Sequence, residues 1–169
     1  MVHRRGCTSI DDGPVATDGR RERNVSVVLG VVLALGVGGV CTLCGLDRDR
    51  ALYPAVMIVI ALYYVLFALI GGSPQVLIVE SAVAIGFIGL ALAGFRSTLW
   101  LVVAALGAHG VFDLAHPHIY ANRGVPAWWP SFCIAYDVVA AAYLAWLLAS
   151  KKIRTDAAPR SGGNSDDRK

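Results

Sequence analysis

Between Val25 and Ser150 the chain contains no lysine, and those 126 residues carry only four arginines and five acids. Charged residues make up 16% of the whole chain and hydrophobic ones 56%, whereas an ordinary soluble domain is about one quarter charged. So little charge excludes a solvated globular surface. It also excludes a nucleic-acid binder, which needs a basic patch interleaved with exposed aromatics. The formal net charge of +3 originates at the ends: residues 1–24 hold five arginines and four acids, and residues 151–169 hold six basic residues and three acids.

Histidine and cysteine are scarce too, at four each. Four histidines are too few for the membrane fatty-acid hydroxylases, whose metal centres use more of them, in part as adjacent pairs. Cys41 and Cys44 form a CxxC, the spacing of thiol–disulfide exchange, and are the redox candidates. No second cysteine pair exists to pass electrons on, and in the glycine-rich run LGVGGVCTLCG the two thiols equally suit close helix packing. No internal repeat is evident.

What fills the middle is apolar sequence in lengths that cross a bilayer, about 20 residues each. Five runs qualify, at about 25–45, 52–71, 76–94, 98–115 and 131–149. The fold class expected is therefore all-α, an integral membrane bundle of five transmembrane helices with the bilayer as its first partner. Breakers separate the runs: DRDR, GGSPQ and FRS, and the longer HPHIYANRGVPAWWP before the fifth. Tyr53, Trp100 and Trp146 mark one interface, and Tyr120, Trp128 and Trp129 the other. Residues 1–24 and 150–169 lack apolar periodicity and read as disordered tails. Arg20-Arg21 before an apolar run resembles a targeting signal, but the run has no small-residue cleavage site after it and reads as an uncleaved anchor.

Orientation does not follow from charge. Arg20, Arg21, Arg23 and Arg123 fall on the N-terminal side, and Arg48, Arg50, Arg96, Lys151, Lys152, Arg154 and Arg160 on the other. The larger count favours a cytoplasmic C-terminus and the first helix favours the reverse.

The ionisable acids inside the five runs are Glu80, Asp113 and Asp137. Charge at membrane depth is costly, so such groups usually face the bundle interior and mark a site. Five alternating spans place the start of the third, the end of the fourth and the start of the fifth on the N-terminal side. At about 1.5 Å per residue, Glu80 then lies roughly 6–7 Å deep, His109 about 10 Å and Asp137 about 9 Å, with Asp113 one turn shallower than His109. These groups share one layer. His109, Asp113 and His116 are spaced i, i+4, i+7 and form one helical stripe, although Pro117 biases His116 away from helical geometry. His118 is expected in the loop. Asp137 heads the stripe Ala141, Ala145, Ala149, whose small residues favour close helix packing, within the bundle or in a homo- or hetero-oligomer. Tyr63 and Tyr64 of the second run lie about 12 Å from the N-terminal side and could add a hydroxyl.

Imidazole with carboxylate is the donor set of zinc, or of iron or manganese where carboxylates predominate. The candidate metal ligands are therefore His109, Asp113, His116, Glu80 and Asp137. A metal-bound water with a spare carboxylate as base would give hydrolytic chemistry, on a lipid-like substrate reached from the bilayer. The alternatives are a transporter or proton/cation conduit using the same acids, and a structural or assembly protein whose polar groups only join helices.

HGVFDLAH at the end of one span, followed by Trp129-Pro130, Phe132, Tyr136 and Asp137 at the start of the next, resembles an uncharacterised family of small bacterial polytopic membrane proteins. The likeness spans about residues 50–150. It implies a bacterial plasma-membrane location and no particular activity. The ceramidase-like multi-span zinc hydrolases also have HxxxD, but their terminal HxxxH is missing here.

Overall fold

In a computed structural model, residues 14–48 and 50–154 are described. They form five helices and, among the described residues, no strand: α1 Pro14–Cys44, α2 Leu52–Gly71, α3 Pro74–Arg96, α4 Trp100–Ile119 and α5 Trp129–Ala149. Residues 1–13 and 155–169, which hold most of the expected tails, lie outside the described residues.

Two sequence expectations change. α1 begins at Pro14 rather than near Val25, so residues 14–24, expected within a disordered tail, are helical. Hydropathy locates where the apolar run starts, not where the helix does. Proline suits a first helical turn, and Ala16, Arg20, Arg21, Glu22 and Arg23 are good or fair helix formers. The Ser26 hydroxyl donates to the Glu22 carbonyl at 2.8 Å across the junction. Second, only four helices, α1 from Asp18, α2, α3 and α5, are long and apolar enough to cross a membrane. α4 falls short because its second half carries His109, Asp113, His116, Pro117 and His118. It is the helix whose inward face is least apolar, and its neighbours on three sides, α2, α3 and α5, shield that face.

Two-residue and three-residue links make α2, α3 and α4 successive antiparallel neighbours. Gly72 turns the chain after α2 at φ +68°, its N–H reaching the Ala68 and Leu69 carbonyls. Ser73 then caps α3 through Val76 N–H at 3.4 Å, with Pro74 in the first turn. Arg50 holds the other end: its Nη2 donates to the carbonyls of Gly94, Phe95 and Ser97 at 3.1–3.3 Å. Cationic donors suit these carbonyls, which a helix C-terminus leaves unpaired.

α1 packs on α5. Gly30 permits it: a Cβ there would collide with the Phe132 carbonyl and lie 3.1 Å from Ala135 Cβ. Gly30→Val is therefore expected to destabilise the protein by about 1–3 kcal/mol, the cost of overpacking. Gly36→Val, where a Cβ meets nothing within 4 Å, should be close to neutral in the same denaturation assay.

The bundle has two unlike halves. Toward the end where α2 and α4 begin, Met57, Leu99, Val102, Leu106, Leu144 and Leu147 are completely buried and form an apolar core. Toward the opposite end, termed end A, the buried groups are polar.

Candidate metal centre

α4 brings His109, Asp113 and His116 onto one buried face, with relative exposures of 1%, 0% and 2%. The helix runs through Pro117 to Ile119, so the stripe survives as far as His116. Pro117 has no N–H to donate to the Asp113 carbonyl, so the helix lacks one hydrogen bond near its end but continues to Ile119. His118, expected in the loop, sits in that last turn and is exposed. Asp137 of α5 and Glu80 of α3 are both fully buried against this face. The one-layer arithmetic thus locates all five residues inside the same half of the bundle.

They divide into two groups. In the deeper one, His109 Nδ1 lies 2.8 Å from Asp137 Oδ2 and 3.6 Å from Asp113 Oδ2. Tyr64 of α2 donates its hydroxyl to Asp113 Oδ1 at 2.6 Å. One oxygen of each aspartate, Asp113 Oδ2 and Asp137 Oδ1, is buried without a hydrogen-bond donor. Buried carboxylate oxygens are rarely left so, because desolvation without compensation is expensive.

The second group, nearer end A, is satisfied internally. Glu80 Oε1 meets His116 Nε2 at 2.8 Å and accepts from Asn122 Nδ2 at 2.9 Å. Glu80 Oε2 accepts from the Tyr120 hydroxyl at 3.0 Å. Asn122, in the α4–α5 loop, also reaches the Tyr64 carbonyl at 3.4 Å, and its own Oδ1 accepts from Gly124 N–H at 3.1 Å. Tyr64 stands between the groups, its ring 4.7 Å from that of His116 and 5.8 Å from that of His109.

The donor set suits a metal in the deeper group. His109, Asp113 and Asp137 each offer one ligand atom, all within 4.8 Å of one another. A neutral imidazole with two carboxylates carries two negative charges, which one divalent cation balances. Zinc, iron and manganese all accept this set. Glu80 and His116, also expected as ligands, pair with each other and stand outside this group.

Sequence reasoning offered Tyr64 but missed Asn122 and the role of Tyr120. Tyr120 follows His116 by one helical turn, a spacing that could have revealed it. Asn122 has no local signal, since a loop asparagine becomes a Glu80 donor only through the fold. The CxxC thiols Cys41 and Cys44 are both free, the first buried and the second exposed, near the end of α1 remote from end A.

Compared with known proteins, the chain matches no family model, no curated protein and no solved structure.

Proposed function

We propose that this is a five-span protein of a bacterial plasma membrane whose functional centre is a divalent-metal site held by His109, Asp113 and Asp137. The carrying observation is the pair of buried aspartate oxygens without donors, on the two carboxylates that flank His109 Nδ1. α4 counts as the fifth span because most of its outward face is apolar: Val111, Leu114 and Ile119 are 60–65% exposed, and its aspartate and two of its histidines are shielded, with His118 exposed in the last turn.

His109, Asp113 and Asp137 would hold the ion, which would supply activation of a water nucleophile, and a carboxylate of Asp113 or Asp137 would serve as the base. This supports hydrolytic chemistry on a lipid-like substrate. Tyr64, through its hydrogen bond to Asp113 Oδ1, holds that carboxylate in position.

A cation conduit through the same acids is the second reading. It is favoured by a cavity of about 270 Å³ at end A, lined by His116, Tyr120 and Asn122, the three partners of Glu80. The apolar core beyond His109 opposes a continuous polar path to the other end.

Metal analysis of the detergent-purified protein tests the leading reading. Stoichiometric divalent metal is expected in the wild type, with loss of metal in His109→Ala and Asp137→Ala. A wild type without metal after supplementation with zinc, iron(II) and manganese overturns it.

A further inference from the structure

An apolar crevice of about 450 Å³ lies between α1, α2 and α5, bounded by Leu33, Val56, Val59, Tyr63, Phe132 and Cys133 among others. Its size is that of a small-molecule pocket, about 300–1,000 Å³. It closes toward end A on aromatic rings: Trp129 packs against Tyr63 and Phe67 at centroid distances of 5.0 and 4.9 Å. Ala55 and Val59 are exposed along it.

Three observations identify its occupant. All three helices belong to the set long and apolar enough to cross a membrane, so the medium beside the crevice is hydrocarbon. The crevice volume of about 450 Å³ is on the scale of a single small apolar ligand, which matches one lipid chain. Finally, the crevice adjoins the candidate centre. Cys133, on its wall, is buried and lies one helical turn before Asp137 on the same side of α5.

We infer that the crevice holds one acyl chain of a bilayer phospholipid; this lipid site does not depend on the metal reading above. The crevice confines a single chain by shape and apolar contact, while the polar part of the lipid stays outside it.

The test is native mass spectrometry of the full chain reconstituted in vesicles of palmitoyl-oleoyl phosphatidylglycerol and extracted in mild detergent. One retained phospholipid per chain is expected for the wild type. Ala55→Phe and Val59→Phe fill the crevice from exposed positions, and each should lower the lipid-bound fraction about tenfold, equivalent to roughly 1.4 kcal/mol. Ile85→Phe, at a residue of α3 that is 69% exposed and away from the crevice, should leave it unchanged. Absence of a retained lipid in the wild type, or equal retention in all variants, overturns the inference. Metal content measured on the same samples separates the two readings. The crevice variants should keep their metal, and a metal-free wild type that retains lipid overturns the metal centre alone.

Discussion

Chelation of divalent metal is expected to lower the Tm of the wild-type protein and to leave an Asp113→Asn/Asp137→Asn variant indifferent. A ligand that binds only the folded state stabilises it by about 2.7 kcal/mol at 100 times its Kd and about 4.1 kcal/mol at 1,000 times. Removing the ion forfeits that contribution and leaves two fully buried carboxylates beside one imidazole, each carboxylate with an oxygen that has no donor to offset its desolvation. The double amide variant carries neither charge. Its residue 113 can still accept from the Tyr64 hydroxyl, so its fold does not depend on a cation. Thermal denaturation with and without chelator, at fixed detergent and pH, measures the difference. An unchanged wild-type Tm, with metal shown to be present beforehand and absent afterwards, would mean that the ion adds nothing to the fold.

Glu80→Ala should be the most damaging single change in the second polar group, costing several kcal/mol at about 1–3 kcal/mol for each buried partner left unsatisfied. It strips the acceptor from His116, Tyr120 and Asn122 together. Glu80→Gln retains a carbonyl acceptor and should cost distinctly less. On the proposed reading both variants should keep stoichiometric metal, because Glu80 lies outside the His109, Asp113 and Asp137 group that could hold it. Loss of metal from Glu80→Gln, with the fold intact by circular dichroism, would return Glu80 to the ligand set that its sequence position suggested.

The two outcomes together test a division that spacing does not reveal. Helical periodicity places His109, Asp113 and His116 on one face, and depth arithmetic brings Glu80 and Asp137 to the same layer. Neither specifies which carboxylate meets which imidazole. In the fold, α5 lies against the His109 level of α4 and supplies Asp137, while α3 supplies Glu80 one to two turns nearer end A, at His116. A five-residue cluster becomes a three-residue centre and a separate, self-satisfied pair. Loop 120–128 then completes the second group through Asn122, a contact 42 residues distant in sequence from Glu80.

Sequence alone determined the all-helical architecture, the low-charge middle of the chain, and the identity of the acids that must be sheltered. These follow from local quantities: hydropathy over a helix length and residue spacing along a helix. It misjudged the start of α1, because helix propensity continues where hydropathy stops, and it took α4 to be as apolar as the other spans, whereas the second half of that helix is polar. Only the tertiary structure decided the pairing of the carboxylates, the two aspartate oxygens left without donors, and the acyl-sized crevice. Each depends on the relative rotation and offset of packed helices. Close contacts such as Gly30 against Phe132 set that geometry across long sequence separations, and no local pattern encodes it.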